Sequence, residues 1–436
     1  MVSWTSDAEP GRPYWWDGLT LNTPDDRLPD QVDLLVIGAG YTGLSAAIAA
    51  SECGASVAVV DAGVPGHGAS TRNGGMFGAH PRLQWDKLAM QFGPDVADGV
   101  FTEAQPALDW VKELITREDI DCDLQNTGRI QLAWTKSHFD GQHRLAETIR
   151  DKSPASVEII PRDRLGTEII TDRYFGGLLF PDHCAIQPAR FHQGLLRAVA
   201  RRDIPITGNA PVTELARDGS GFTARTPKGT LRAGKVVLAT NGYTTQPFRW
   251  LSARVFALPS YLIATEPLPH DLIDRLAPGR RMMVETRARH SYFRVSPDGT
   301  RILFGGRASM RNIPLVRAAQ VLHATMCEIW PDLRDTRVSH AWTGNTGFSF
   351  NQTPHVGHHN GLHYAMGYSG SGTVMAPYLG AKAGYQAMDD PRGNTVYSQT
   401  RLKRHWAHPT EQPHFLKAAN LWYRTWVDRR ENARSR

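Results

Sequence analysis

Apolar positions gather in short, unbroken runs separated by glycine, proline and polar turns. The run Val32 to Ile37 reads as a strand buried on both faces of a parallel sheet. Gly38-x-Gly40-x-x-Gly43 follows at once, then an alanine-rich helix, then the strand Ser56 to Val60, which ends at Asp61. Strand, glycine turn, helix, strand and acid in this order form an adenine dinucleotide site. Gly38 permits the tight turn, Gly40 lets backbone approach a pyrophosphate, and Gly43 lets the helix pack on the strand. The phosphates face the helix N-terminus, and Asp61 is placed to accept from a ribose hydroxyl. The motif alone does not separate FAD from NAD.

Downstream, helical and extended patterns alternate. Residues 1–30, rich in Pro, Asp, Gly and Trp, read as an irregular leader pinned to the body by Trp15 and Trp16. Helical signals fill 85–120, Cys122 to Trp134 reads as strands about a Thr127-Gly128 turn, and 136–170 begins as a helix. Across 176–202 a strand turns into a helix, with Pro188 suited to its start and Leu195, Leu196 and Val199 at helical spacing. Residues 203–243 form a meander that ends in KVVLAT and the small turn Ala239-Thr240-Asn241-Gly242, which can return to the dinucleotide site. A second β-rich block covers 254–310, and the helix VRAAQVLHATMCEIW stops before Pro331. LHYAMGY then reads as a strand leading into Gly370-Ser371-Gly372-Thr373 and a second helix start.

The order predicts an α/β chain in which a Rossmann-like domain is interrupted by an α+β substrate domain built on an antiparallel sheet. Expected boundaries are 1–30 for the leader and 31–115, 181–250 and 336–390 for the nucleotide-binding domain. Residues 116–180 and 251–335 are expected in the substrate domain. Residues 391–436 are expected as a helical tail docking its Trp and Tyr residues.

Composition narrows the class. The 436 residues are 41% apolar and 21% charged, enough for two cores in an ordinary soluble chain. No transmembrane segment is expected, because no apolar run reaches 18 residues, and the start lacks the apolar core of a secretory signal. A cytoplasmic location is expected. Cys53, Cys122, Cys184 and Cys327 are widely spaced, with no CxxC, which argues against disulfides or thiolate zinc. The net charge of +6 is scattered outside the C-terminal stretch, so no nucleic-acid footprint is expected. Local positive charge can still draw in an anionic substrate. His183 and His192, and the set His355, His358 and His359, lack acids at ligand spacing. They read as satisfied, solvent-facing or loop histidines, and no metal is expected.

The segment 62–80 carries six glycines in nineteen residues together with Ser70, Arg72 and Asn73. It suits close backbone approach to a flat, extended ligand. Arg287, Arg289, Arg294 and Arg307 fall in the β-rich block, where arginine can clamp a carboxylate bidentately or simply face solvent. Tyr261, Tyr292 and Phe293 are candidate cavity walls or core residues.

The pieces GAGYTGLSAAIAASECGASVAVVD, GASTRNGGMFG, KVVLATNGYT, YFRVSPDGTRILFGG and HYAMGYSGSGTVMAPYLG, in this order, resemble FAD-dependent amine and amino-acid oxidases of the D-amino-acid oxidase type. The resemblance is greatest to the gamma-glutamylputrescine oxidase-like branch and spans roughly residues 30–385. It implies a βββ-type GR2 fold with FAD beside Gly38, Gly40, Tyr41, Thr42, Gly43, Asp61 and Ala62. It also implies cofactor contacts from Ser70, Thr71, Arg72, Asn73, Gly74, Gly75 and Met76, then Val212, Thr240, Asn241, Gly242 and Gly344. Gly370, Ser371, Gly372 and Thr373 would lie near the isoalloxazine. Some relatives attach flavin through a cysteine in the region that reads VSHAWTGNTGFSFNQTPHVG here; no cysteine is present, so noncovalent FAD is expected. Thr71 stands where a glycine is common, and GSG at 370–372 replaces a GHG of many close relatives.

The implied reaction oxidises the C–N bond of a small amine or amino acid to an imine that hydrolyses, with gamma-glutamylputrescine among the candidate substrates. Oxygen or another acceptor takes the electrons. Tyr261 would orient substrate, Arg307 would bind a distal carboxylate, and His80 would line the flavin face. The alternatives are an amino-acid dehydrogenase or N-demethylating oxidase on the same fold, a nonenzymatic flavin-binding regulatory or assembly protein, and an NAD-only Rossmann enzyme.

Overall fold

The computed structural model describes residues 2–21, 24–406, 408 and 413–434. Two eight-stranded sheets organise these residues. The first runs in the order His355–His359, Leu362–Met366, Gly229–Leu238, Gln31–Ile37, Val57–Val60, Ile206–Thr207. All but the first of these pairings are parallel. The strands Glu214–Asp218 and Gly221–Thr226 extend Gly229–Leu238 as the expected antiparallel meander. The unbroken apolar run of the central strand now has its reason. Leu34 and Val36 pack against the helices, while Leu35 and Ile37 pack under the meander. Both faces are buried, so polar alternation would leave unpaired groups inside.

The helices Tyr41–Ser51 and Gly372–Ala387 cross this sheet in close contact. A Cβ on Gly380 would lie 2.2 Å from the Thr42 carbonyl, and one on Gly384 would lie 2.4 Å from that of Ala46. Small residues thus let two helix backbones meet, and the meeting fixes both helix starts at the same edge of the sheet.

The second sheet runs Val338–Ser349, Val255–Thr265, Ile302–Gly306, Ser291–Val295, Met282–Glu285, Arg129–Leu132, Gly176–Phe180, Glu158–Pro161. It is antiparallel except where Met282–Glu285 meets Arg129–Leu132, a parallel pair. Those two strands come from separate stretches of chain, so no hairpin dictates their direction. RMMVETRARHSYFRV makes two strands joined by a turn, with Met283 opposite Phe293.

Several expectations need correction. The stretch from 336 was expected to return to the nucleotide-binding domain. Its first strand instead pairs along its whole length with Val255–Thr265 in the second sheet. Within Cys122 to Trp134 only Arg129–Leu132 is a strand, and Gln125 makes a single bridge to Ala185. His355, His358 and His359 lie on a strand rather than in a loop.

The tail also differs. It forms Leu416–Trp422, a π-helical turn Tyr423–Val427, and Asp428–Arg434. Trp422 and Trp426 stack on each other at 5.9 Å and are each 56% exposed, so they do not dock on the body. Polar anchors hold the tail instead. Asp428 pairs with Arg289, Glu431 accepts from the Ala288 N–H at 3.2 Å, and Asn420 accepts from the Met310 N–H at 3.1 Å. No helix among the described residues is long and apolar enough to cross a membrane.

Candidate active site

A cavity of about 910 Å³ lies where the two sheets meet. One end is walled by Gly38, Gly40 and Asp61, the other by Arg82, Arg129, His290, Tyr292 and Arg307.

At the first end the glycine turn works by close approach. Gly38 has φ +109°, and Gly43 packs so tightly that a Cβ would fall 1.8 Å from the Gly38 carbonyl. Gly43 therefore supports the turn from behind and does not line the cavity. The helix Tyr41–Ser51 starts at Gly40 with no side-chain cap. Ser70 Oγ accepts from the Tyr41 N–H at 3.0 Å. Asp61 accepts from the Ala39 N–H at 2.7 Å and the Gly63 N–H at 3.0 Å. Burial holds its pKa above the ordinary carboxylate value, and those two N–H groups offset only part of the rise. Each carboxylate oxygen keeps further acceptor capacity, and the side chain still faces the cavity.

The glycine-rich segment is held from outside by the leader. Trp15 Nε1 donates to the Asn73 carbonyl at 2.7 Å, and Trp16 Nε1 donates to Thr71 Oγ1 at 3.1 Å. Thr71 in turn donates to the Gly66 carbonyl. Of the expected contacts in this segment, Ser70, Arg72, Asn73, Gly74 and Met76 line the cavity. Thr71 and Gly75 do not; they brace the wall. Gly75 has φ +67°, and a Cβ there would meet the Ile186 carbonyl at 2.3 Å. Gly242 is likewise a packing position, with Gly347 backbone 3.0 Å from where a Cβ would sit. Tyr41, Thr42, Ala62, Val212, Thr240, Asn241 and Gly344 all line the cavity.

The second helix start, Gly370 to Thr373, lines the cavity as well, and no side chain caps the helix Gly372–Ala387. Two helix N-termini thus face one space, neither capped by its own N-cap side chain, and they offer backbone N–H groups and positive dipole ends to an anionic ligand. Together with the glycine cradle and Asp61, these residues fit a dinucleotide flavin.

The far end is built on the second sheet. Ser260 and Leu262 face the cavity, so the strand's period of two turns Tyr261 away. The Tyr261 hydroxyl donates to the Arg311 carbonyl at 2.9 Å and accepts from the Ile313 N–H at 3.0 Å inside the core. The role expected for Tyr261 is therefore corrected. Tyr292 takes the position at the cavity, its hydroxyl 2.8 Å from Ser260 Oγ.

The four arginines of the β-rich block separate cleanly. Arg287 pairs with Glu285, Arg289 pairs with Asp428, and Arg294 donates to the Gly75 and Ile186 carbonyls. Arg307 lines the cavity, has no carboxylate partner among the described residues, and leaves Nη1 buried and unbonded. Burial pushes it down to about 10, and neighbouring Arg82 contributes. Arg82 donates to Gln352 at 3.2 Å and also lacks a carboxylate. His290 lies among Arg307, Arg82, Arg287 and Arg129; burial, then these charges, hold it well below the ordinary value for histidine. His80 lines the cavity and is pushed down to about 3, by burial first and Arg129 second.

Arg82, Arg129 and His290 were not singled out from the sequence. For Arg129 a signal existed: in RIQL the polar residues alternate with buried Ile130 and Leu132. Of the histidines read as structural, His192 bonds the Ala39 carbonyl at 2.8 Å, and His183 stacks on Phe180. Among the described residues no cluster of His, Cys, Asp or Glu is arranged to hold a metal.

Residues 33–386 match the family described as DAO, FAD dependent oxidoreductase. The chain belongs to this family. It is a flavin-dependent enzyme, and oxidation of a C–N bond in an amine or amino acid is the reaction its family supports. A probable oxidoreductase OrdL of Haemophilus influenzae is 26% identical, covering 90% of this chain and 91% of that protein. The gamma-glutamylputrescine oxidoreductase of Escherichia coli is 26% identical over 82% of this chain and 84% of that one. Among solved structures, glycine oxidase from Geobacillus kaustophilus superposes with a TM-score of 0.70 at 20% identity, covering 86% of this chain and all of that one. The last likeness is one of fold.

Proposed function

We propose that this enzyme oxidises an amine that also carries a carboxylate, a molecule of the gamma-glutamylputrescine type, with FAD held noncovalently. One observation carries the reading: Arg307 and Arg82 face the cavity side by side with no carboxylate among the described residues to neutralise them. Unpaired guanidinium groups in such a place are costly, and an anionic ligand relieves the cost. Noncovalent binding is supported by a cavity wall without cysteine. The shared relatedness to a gamma-glutamylputrescine oxidoreductase favours the same substrate type.

The flavin, once bound, supplies the two-electron acceptor. Gly38, Gly40, Tyr41, Ser70 and Asp61 would hold its nucleotide end, and Gly370 to Thr373 its ring end. The arginines do two things. They anchor the carboxylate, and their field lowers the proton affinity of the ammonium beside it. The neutral amine is the form that gives up hydride. His290 lines the same cavity and stays neutral among the arginines, so its ring could accept from an amine N–H. Tyr292 and Leu262 line this part of the cavity and would give the substrate an apolar wall.

The test is anaerobic bleaching of the flavin by gamma-glutamylputrescine, putrescine, sarcosine and simple amino acids. Carboxylated amines are expected to bleach it at least tenfold faster than putrescine at equal concentration. Equal rates with putrescine and its gamma-glutamyl derivative would overturn the reading.

A further inference from the structure

The positive charge in the cavity is divided between two places. Arg82 and Arg307 lie over the Phe348 ring, at 5.4 and 4.8 Å. Arg129 lies apart, over the Phe180 ring at 4.9 Å. The sheet fixes the separation. Arg129 belongs to a strand opposite Met282–Glu285, which pairs with Ser291–Val295, which pairs with Ile302–Gly306, the strand that ends just before Arg307. Three inter-strand spacings amount to about 14 Å between the strands. The two places thus sit on separate strands and over separate rings, Phe180 and Phe348.

Arg129 has the features of a second anion site. It lines the cavity next to Gln131 and His80, and it has no carboxylate partner among the described residues. Its Nε is buried without a hydrogen-bond partner. His80 and His183 flank the same Phe180 ring, at 4.8 Å each, and both are kept neutral by burial, so neither answers the charge nor adds to it. Glu285 is the nearest acid in the wall by sequence register, three residues beyond the position paired with Arg129, and it is already occupied by Arg287, Tyr174 and the Ser291 N–H.

We infer that Arg129 forms a second carboxylate subsite, so that the substrate is an amine with two anionic ends, one at Arg82 and Arg307 and the other at Arg129. The inference rests on the proposed amine oxidation. It goes beyond that reading: gamma-glutamylputrescine, with its single carboxylate, fills only the place at Arg82 and Arg307, whereas a second carboxylate at Arg129 sets the scissile C–N bond between two charges.

The experiment uses the FAD-loaded enzyme and two matched series. One is N-(ω-carboxyalkyl)glycines with one to six methylenes in the alkyl arm. The other is the N-alkylglycines of equal length, which lack the terminal carboxylate. Anaerobic flavin reduction gives kcat/KM for each. In the unaltered enzyme the terminal carboxylate should raise kcat/KM about tenfold or more at one arm length, the gain of a charged hydrogen bond. Arg129→Met and Arg129→Gln should abolish that gain, read as the ratio of kcat/KM between the two series at the same arm length. In the unaltered enzyme, linear dicarboxylates should also compete better than monocarboxylates of equal length, a measurement that needs no variant. Equal loss in both series, a gain that survives both variants, or equal competition by mono- and dicarboxylates would each overturn the second subsite. If no member of either series reduces the flavin, the two-ended substrate is overturned, while amine oxidation itself stands or falls on bleaching by gamma-glutamylputrescine; reduction without a terminal-carboxylate gain likewise sinks only the subsite.

Discussion

Arg82 and Arg307 come from distant parts of the chain yet share one aromatic ring, their guanidinium carbons 5.4 and 4.8 Å from the centre of Phe348. Burial pushes Arg307 down, and the neighbouring Arg82 charge pushes it further. The consequence falls on any ammonium bound beside them. A unit charge at about 7 Å in an effective dielectric near 20 is worth about 2 kcal/mol, or roughly one to two pH units. Removing a cation favours the protonated amine, so Arg307→Met is expected to move the acid limb of the limiting flavin-reduction rate to higher pH by about one unit. Arg307→Lys keeps the charge and should leave the limb in place. Stopped-flow reduction at saturating substrate across pH reads this directly. An unmoved limb in Arg307→Met removes the electrostatic role.

The tail covers this same end. Tyr423 lies close enough to interact with both Arg82 and Arg307, and the helix that follows is fastened through Asp428 and Glu431. The double substitution Asp428→Ala with Glu431→Ala is expected to loosen the cover, raising KM several-fold with little change in kcat. Thermal stability should change by no more than about 1 kcal/mol, because these are partly exposed contacts. A fall in kcat at unchanged KM would contradict the covering role.

What could be read from the sequence depended on whether backbone or register decided the outcome. Gly38, Gly40, Gly43 and Asp61 were legible because the turn demands those residues at that spacing, and three of the four line the cavity. The second glycine turn at 370–373 was legible for the same reason. Tyr261 and Tyr292 were not separable, because which face of a strand points inward depends on its register, and a shift of one residue exchanges the faces. The arginines of the β-rich block looked alike in sequence; their partners, Glu285, Asp428 and two carbonyls, set them apart from Arg307, which has no carboxylate partner among the described residues. The strand Val338–Ser349 joined the second sheet through pairing with residues some 80 positions earlier, a contact that no local pattern announces. Trp422 and Trp426 were assigned inward on hydrophobicity alone, while polar anchors set the rotation of the tail.

Gly43 gives a sharper test of the nucleotide end than any lining residue. A methyl group there would overlap the Gly38 carbonyl at 1.8 Å, and this contact is backbone, which cannot rotate away. Gly43→Ala is expected to push the helix start off the strand. The cost should be about 1–3 kcal/mol or somewhat more. FAD affinity should fall with stability, measurable by flavin fluorescence on dilution. Unchanged FAD affinity in Gly43→Ala would show that the helix start tolerates displacement.

Acid should unfold this protein earlier than its net charge suggests. Burial holds His80 down to about 3, and His192 and His355 down to about 4, the latter two partly offset by bonds to the Ala39 and Thr400 carbonyls. In the unfolded chain each imidazole takes up a proton near 6.5. The unfolded state therefore binds more protons between those limits, and stability falls as pH drops from about 6.5 toward 4. Above 7 both states are neutral at these sites and the contribution is flat. The midpoint of thermal unfolding of the FAD-loaded enzyme, followed from pH 8 to 4.5, is expected to hold steady to about pH 7 and then decline steeply. His355 lies away from the cavity, bonded to Thr400 and Asn351, so His355→Asn should flatten part of the decline without altering flavin reduction. A midpoint at pH 5 equal to that at pH 7.5 would show that these histidines accept protons in the folded state.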